Sequence, residues 1–260
     1  MLELYHWEPN TCFLKPLIAL EEKEVSFLSR WFDPTSFEQL EPGFPVDTES
    51  RLQLEREGPL LVHDGTRVSG SFFMLEYIAE AFPGTELYPG DAFRHYRARA
   101  WGQVLAAIGA DVSILGCARH LRPLLEQQDR RRLQSQLGRI EPVERRAAWE
   151  ALLDGRYDAR ALSAIAERLA FSLRRIEGTL TGSRWLAGPD YSVADIDAFA
   201  LIAPLPALAP EVLNATATPR IVEFLARMRE RPAVRRALAY TRSGRPQEAF
   251  VPGAEPSRWG

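Results

Sequence analysis

The apolar positions of this chain follow one rhythm near its start and another after about residue 90. Leu2, Leu4 and His6 alternate with Glu3 and Tyr5, a period of two that predicts a short strand. After a turn at Glu8-Pro9-Asn10, apolar residues recur at helical spacing from Phe13 through Leu14, Leu17, Ile18 and Leu20, with Pro16 expected in the first turn. Glu21-Glu22-Lys23-Glu24 reads as the solvated end of that helix, and Val25-Ser26-Phe27-Leu28 as a second strand. Turn signals at Asp33-Pro34 and Glu41-Pro42-Gly43 punctuate the next stretch. Pro59-Leu60-Leu61-Val62 and Arg67-Val68 then flank His63-Asp64-Gly65-Thr66, and an Asp-Gly turn between two apolar runs predicts a β-hairpin. Ser69-Gly70-Ser71 opens a further helix with Phe72, Leu75, Ile78 and Phe82 as its apolar face, stopped by Pro83-Gly84.

From Ala92 to about Ala239 the period is helical throughout. Leu162, Ile165, Leu169, Leu173 and Ile176 mark one amphipathic helix. Ser192 and Asp195 form a capping box ahead of an apolar helix reaching Ile202. The end of the chain, with Pro246, Pro252 and Pro256, has few apolar groups and predicts an extended tail with little burial, dispensable for folding, whose Phe250 and Trp259 would cover the mouth of a pocket. The expected organisation is an α/β domain over 1–83, a linker over 84–92, an all-helical domain over 93–240 and a tail over 241–260.

Composition narrows the possibilities. A chain of 260 residues with 46% hydrophobic and 26% charged residues has ample material for a core. A formal charge of −3 gives no general attraction to nucleic acid or an anionic membrane. Cys12 and Cys117 cannot build a disulfide framework, which points to a reducing compartment. The start lacks a basic, then apolar, leader pattern, and no run approaches ~18 apolar residues. A cytoplasmic protein is expected. His6, His63, His95 and His120 have no metal-ligand spacing, so no metal is expected. The run Asp129-Arg130-Arg131-Arg132 reads as a solvated helix face, and Cys117 as a buried, inert thiol.

A small β-α-β unit, a hairpin entered through proline, a helix opened by serine and then an all-α domain resemble the glutathione S-transferase superfamily. The carrying residues are Leu2–Tyr5, the turn Pro9–Leu14, the hairpin Pro59–Val68 with Ser71, the capping box Ser192–Asp195, and Arg231-Pro232-Ala233-Val234. Leu14-Lys15-Pro16-Leu17, His63-Asp64-Gly65, Glu76-Tyr77 and the Arg/Glu-rich insert from about Arg130 to Arg168 are similar to the bacterial β-etherase branch, which cleaves aryl ethers of lignin-derived phenols. The resemblance implies a thioredoxin-like N-terminal domain followed by a helical bundle, glutathione as co-substrate, and a homodimer.

It also implies a site. Ser71, at a helix N-terminus where N–H groups and the dipole favour an anion, would hold the γ-glutamyl carboxylate. Gly70 stands where the family usually has an acid. Pro59 matches a cis-proline whose preceding residue, here Gly58, offers its backbone to the glutathione cysteine. The Asn-Pro-x-Gly stretch usual upstream is replaced by Gln53-Leu54-Glu55-Arg56. Thr11 and Cys12 occupy the thiol-activating turn, with Lys15 beside them favouring thiolate and joining the glutathione site. Trp7, Phe13, Trp31 and Trp101, with Phe32, would wall the pocket of an aromatic substrate; core packing is the bland alternative for Phe32 and Trp101. The expected function is a glutathione-dependent transferase or lyase, with β-aryl ether cleavage as its leading form. Two alternatives stand beside it: a catalytically silent binding or interaction protein, and a Cys12-based thiol–disulfide exchange or isomerase activity.

Overall fold

The first strand, β1 (Leu2–His6), alternates buried and half-buried residues as its period of two requires, and lies inside a four-stranded sheet of order β2-β1-β3-β4. It pairs in parallel with β2 (Leu28–Trp31), Glu3 opposite Leu28 and His6 opposite Trp31. Parallel neighbours need a crossover, and α1 (Thr11–Glu22) supplies it. The antiparallel pair β3 (Leu60–His63) and β4 (Thr66–Ser69) completes the sheet through an Asp64-Gly65 turn. Both turn residues have positive φ, +50° and +87°, the conformation that Asp-Gly hairpins require. A computed structural model supplies these coordinates and describes residues 1–45, 58–88, 90–140 and 143–253. Gln53–Arg56, Pro256 and Trp259 lie outside the described residues.

Three local expectations shift. The second strand starts at Leu28 and not at Val25, because the Val25 N–H still bonds the Leu20 carbonyl and Glu24 turns the chain at φ +54°. Pro16 is the sixth residue of α1, one turn deeper than expected, so the Cys12 carbonyl lacks the N–H that position 16 would otherwise donate. In α2 (Ser71–Ala81) the buried face is Met74, Leu75 and Ile78, while the Phe72 ring instead packs on Gly102 of the next helix.

The rest of the chain is helical. Helix α3 (Ala92–Gly116) continues through a π-helical turn at Cys117–Leu121 into α4 (Arg122–Leu125). It is followed by α5 (Arg130–Leu137), α6 (Val143–Leu153), α7 (Ala159–Gly182), α8 (Val193–Ile202), α9 (Leu205–Leu208), α10 (Pro219–Glu230) and α11 (Pro232–Leu238). Asp129 caps α5, its carboxylate accepting the Arg132 N–H at 2.7 Å, and Arg130–Arg132 are exposed. The segment Ala92–Leu125 is apolar enough to span a bilayer, with mean hydropathy 1.4 over 18 residues. Half of that window is buried in the protein, where α3 packs against α7 and α8 as a core helix.

Two helices tie the halves together. All ten residues of α8 are buried. Helix α1 buries eleven of its twelve, between α2 on one side and α8 and α11 on the other. The capping box forms as expected: Asp195 accepts the Ser192 N–H at 2.9 Å, and its other oxygen takes the Leu186 N–H at 2.9 Å.

The tail departs from expectation. Residues 241–253 contain only one short 3-10 turn, Pro246–Glu248, yet Phe250, Val251 and Pro252 are buried. These few apolar residues suffice because Phe250 and Val251 fill a place already shaped for them, on Gly116 of α3 and against the turn before α1.

Candidate active site

Strand β1 ends by delivering Trp7-Glu8-Pro9-Asn10 to the N-terminus of α1. His6 braces this end. Its Nδ1–H donates to the Trp7 carbonyl at 2.7 Å, so Nε2, 2.7 Å from Ser29 Oγ, is left to accept. Burial lowers the His6 pKa, outweighing the bond to the Trp7 carbonyl. Asn10 precedes α1 in extended conformation, but its side chain does not cap the helix; Nδ2 donates to the Ala249 carbonyl at 2.9 Å. The first turn of α1 holds no acidic residue, so the positive end of the helix dipole keeps its field for an incoming anion.

Thr11 and Cys12 are the first two residues of that helix. Thr11 has φ +43°, a left-handed conformation that costs a β-branched residue about 1–3 kcal/mol and that clusters at functional sites. Its Oγ1 lies 4.0 Å from Cys12 Sγ. Both side chains are nearly closed off, at 4% and 2% exposure.

Around Cys12 the structure gathers an aromatic cluster. Trp7, Phe13 and Phe32 pack with it, ring centroids 6.1 Å apart for Trp7–Phe13 and 5.9 Å for Phe13–Phe32. Trp31 and Phe44 sit at its margin, Phe44 4.9 Å from Phe32. Trp101 does not join them. It packs in the main helical core, where its Nε1–H donates to the Leu186 carbonyl at 2.9 Å, so it is withdrawn from the pocket-lining set.

Lys15 is also corrected. Its side chain is fully buried, with Nζ 2.8 Å from Asp197 Oδ1 on α8. Lying on α1 against α8, it is turned into the contact between the two halves, where it pairs with Asp197.

The second part of the expected site lies at β3 and α2. Gly58 and Pro59 are buried at the entrance to β3. No cis peptide bond occurs among the described residues, these two included, so the cis geometry expected at Pro59 is absent. Trans is the lower-energy isomer of an X–Pro bond, by about 0.5–1 kcal/mol. Gly70 precedes α2 at φ +84°, and a Cβ there would meet the Phe73 ring at 2.7 Å. Both facts select glycine where the related pattern has an acid. Ser71 heads α2 as expected, with its side chain fully buried. Among the described residues no group of histidine, cysteine and carboxylate side chains could hold a metal ion.

Sequence reasoning missed Glu8, Phe44 and the tail residues Ala249 and Val251 as parts of this site. The signals were present: one acid in the apolar turn Trp7-Glu8-Pro9, and the run Ala249-Phe250-Val251 in a polar segment.

Comparison with known proteins fits this geometry. The family model for the glutathione S-transferase C-terminal domain matches residues 141–232. Protein LigF of Sphingobium sp. (strain NBRC 103272 / SYK-6) is 28% identical over 241 residues, covering 90% of this chain and 91% of its own length. The crystal structure of β-etherase LigF superposes with a TM-score of 0.82 at 26% identity, covering 92% of this chain and 99% of that one. A glutathione transferase from Burkholderia graminis, solved with two glutathione molecules per subunit, superposes at 0.67 with 24% identity, covering 93% of this chain and 88% of that one. The sheet flanked by helices, the helical domain behind it and these matches show the glutathione transferase fold and a similarity to glutathione S-transferases, β-etherase LigF among them.

Proposed function

We propose that this protein is a glutathione-dependent transferase or lyase acting on a hydrophobic aromatic electrophile. In the form we favour, glutathione thiolate attacks the carbon bearing an aryl ether. A C–S bond forms, the C–O bond breaks, and the electron pair leaves with the phenolate, which takes a proton from water. The observation that carries this reading is the Thr11–Cys12 turn: an uncapped helix N-terminus, free of acid in its first turn, set against aromatic rings. The helix end stabilises a thiolate, the hydroxyl of Thr11 and thiol of Cys12 supply hydrogen bonds to it, and Trp7, Phe13 and Trp31 provide an apolar wall.

Glutathione would lie along Gly58, Pro59, Gly70 and Ser71, its cysteine backbone paired at β3 and its γ-glutamyl carboxylate at the start of α2. Ser71→Ala is then expected to weaken glutathione binding by about 1.5–3 kcal/mol, roughly ten- to a hundredfold. Titration calorimetry with glutathione checks this, and unchanged affinity would remove Ser71 from the site.

The proposal places the protein in the cytoplasm as a homodimer. Phe73 on α2, with Phe93 and Tyr96 on α3, offers exposed aromatic surface to a second copy. Activity is tested by incubating the protein with glutathione and a β-aryl ether and following both products by mass spectrometry. Stoichiometric thioether and phenol are expected. Glutathione binding without either product would favour the binding-module reading.

A further inference from the structure

Beyond α11 the chain returns to the turn before α1 and lies across it. Glu8, only 3% exposed, anchors it: one carboxylate oxygen accepts the N–H groups of Arg242 and Ser243, each at 2.9 Å, and the other accepts the Thr241 hydroxyl. Burial alone would raise the Glu8 pKa, but these hydrogen bonds outweigh it and hold the carboxyl below its ordinary range, so the anchor is charged. Further along, the Ala249 carbonyl accepts from Asn10 Nδ2 at 2.9 Å and the Val251 carbonyl from Ser113 Oγ at 2.6 Å. The Phe250 ring stands 2.3 Å from where a Cβ on Gly116 would be, so glycine there is the seat for the ring. Val251 then packs in the same cluster as Cys12, Trp7, Phe13 and Phe32.

The strap has a consequence for the reaction. Thr11 and Cys12 are over nine-tenths buried, yet the proposed chemistry needs a sulfur atom and an electrophilic carbon to meet beside them. A segment held by a few polar anchors and two apolar side chains is the kind of unit that opens well below the cost of global unfolding. We infer that residues 241–251 are a gate over the catalytic turn. It lifts to admit the electrophile and closes with Ala249 and Val251 as walls of the pocket, so that these residues set which substrate fits. This rests on the function proposed above, but its test does not need turnover.

The test compares two rates in the full-length protein: alkylation of Cys12 by iodoacetamide, located by peptide mass spectrometry, and hydrogen exchange at the amides of Arg242, Ser243 and helix α8. A gate predicts that Cys12 is alkylated much faster than the α8 amides exchange, in step with the strap amides. Glu8→Gln and Ser113→Ala, which loosen opposite ends of the strap, should each speed alkylation about tenfold, the equivalent of one charge-assisted or buried hydrogen bond. If Cys12 reacts only as fast as α8 exchanges, or if neither variant changes its rate, the strap is a fixed part of the core and the inference fails. Either result leaves glutathione binding and product formation to be measured separately.

Discussion

Replacing Lys15 with Met is expected to cost about 3–5 kcal/mol, because it takes the ion-pair partner from the Asp197 carboxylate in a site where both side chains are almost without solvent. Asp197→Leu should cost a similar amount for the converse reason. The double variant Lys15→Met/Asp197→Leu should recover most of the loss, since an apolar pair of comparable volume removes the buried charges together. Urea midpoints of the four proteins give the coupling energy directly. Additive losses would show that the two side chains do not depend on each other. Because a whole domain is typically stable by about 5–15 kcal/mol, either single variant would remove a large share. The pair also fixes α1 against α8 one turn beyond Thr11 and Cys12, so its loss should loosen that turn as well as the fold.

Lys15 also shows where the sequence stopped being informative. A lysine three residues after a candidate thiol looks like an electrostatic helper, and helical periodicity cannot say that its partner is Asp197 on a helix near the other end of the chain. What could be read was local. The alternation of Leu2, Leu4 and His6, the Asp64-Gly65 turn and the Ser192–Asp195 box each depend on residues a few positions apart, and each forms. The apolar run Val25–Leu28 misled because strand registry is set by pairing, here Glu3 with Leu28, and not by hydrophobicity. The tail misled because the burial of Phe250 depends on the missing side chain of Gly116. Near the candidate site, the sequence brings Trp7 and Phe13 close to Cys12, and the three pack in one cluster. Trp101 was not separable from them, because an aromatic residue carries the same signal whether it lines a pocket or a core.

Asp195→Ala is the second large effect. This carboxylate is fully buried and satisfies the Leu186 and Ser192 N–H groups together with the Ser192 hydroxyl at 3.2 Å. Removing it leaves those donors without an acceptor in a dry environment, at about 1–3 kcal/mol for each group left unpaired. A drop of several kcal/mol in denaturant stability is expected, with the glutathione dissociation constant of the folded fraction unaltered. A selective loss of affinity at full stability would contradict this assignment.

The same residue should leave a signature in pH. Burial pushes the Asp195 carboxyl up to about 7, against the pull of the Leu186 and Ser192 hydrogen bonds. A carboxyl whose folded pKa is raised contributes stability that is complete below its unfolded value, near 4, and is lost as pH rises through about 7. Asp195→Ala should therefore cost more at pH 5 than at pH 8. Glu8 acts in the opposite sense: its carboxyl is held low by the strap, so its contribution is present above its unfolded pKa and lost in acid. Comparing the variant with the parent at each pH isolates Asp195 from Glu8.

In the proposed function the Thr11–Cys12 turn makes the glutathione thiol a nucleophile. Free thiols of this kind titrate near ~8.5, and bringing one to about 7 takes roughly 2 kcal/mol of preferential stabilisation of the thiolate. A helix end and one or two hydrogen bonds supply a sum of that size. The most direct measurement is the ultraviolet absorbance of enzyme-bound glutathione thiolate as a function of pH, in the parent protein and in Thr11→Ala and Cys12→Ala. An apparent pKa of ~7 is expected for bound glutathione, moving back toward ~8.5 in at least one variant. Bound glutathione that titrates like the free tripeptide in the parent protein would contradict it.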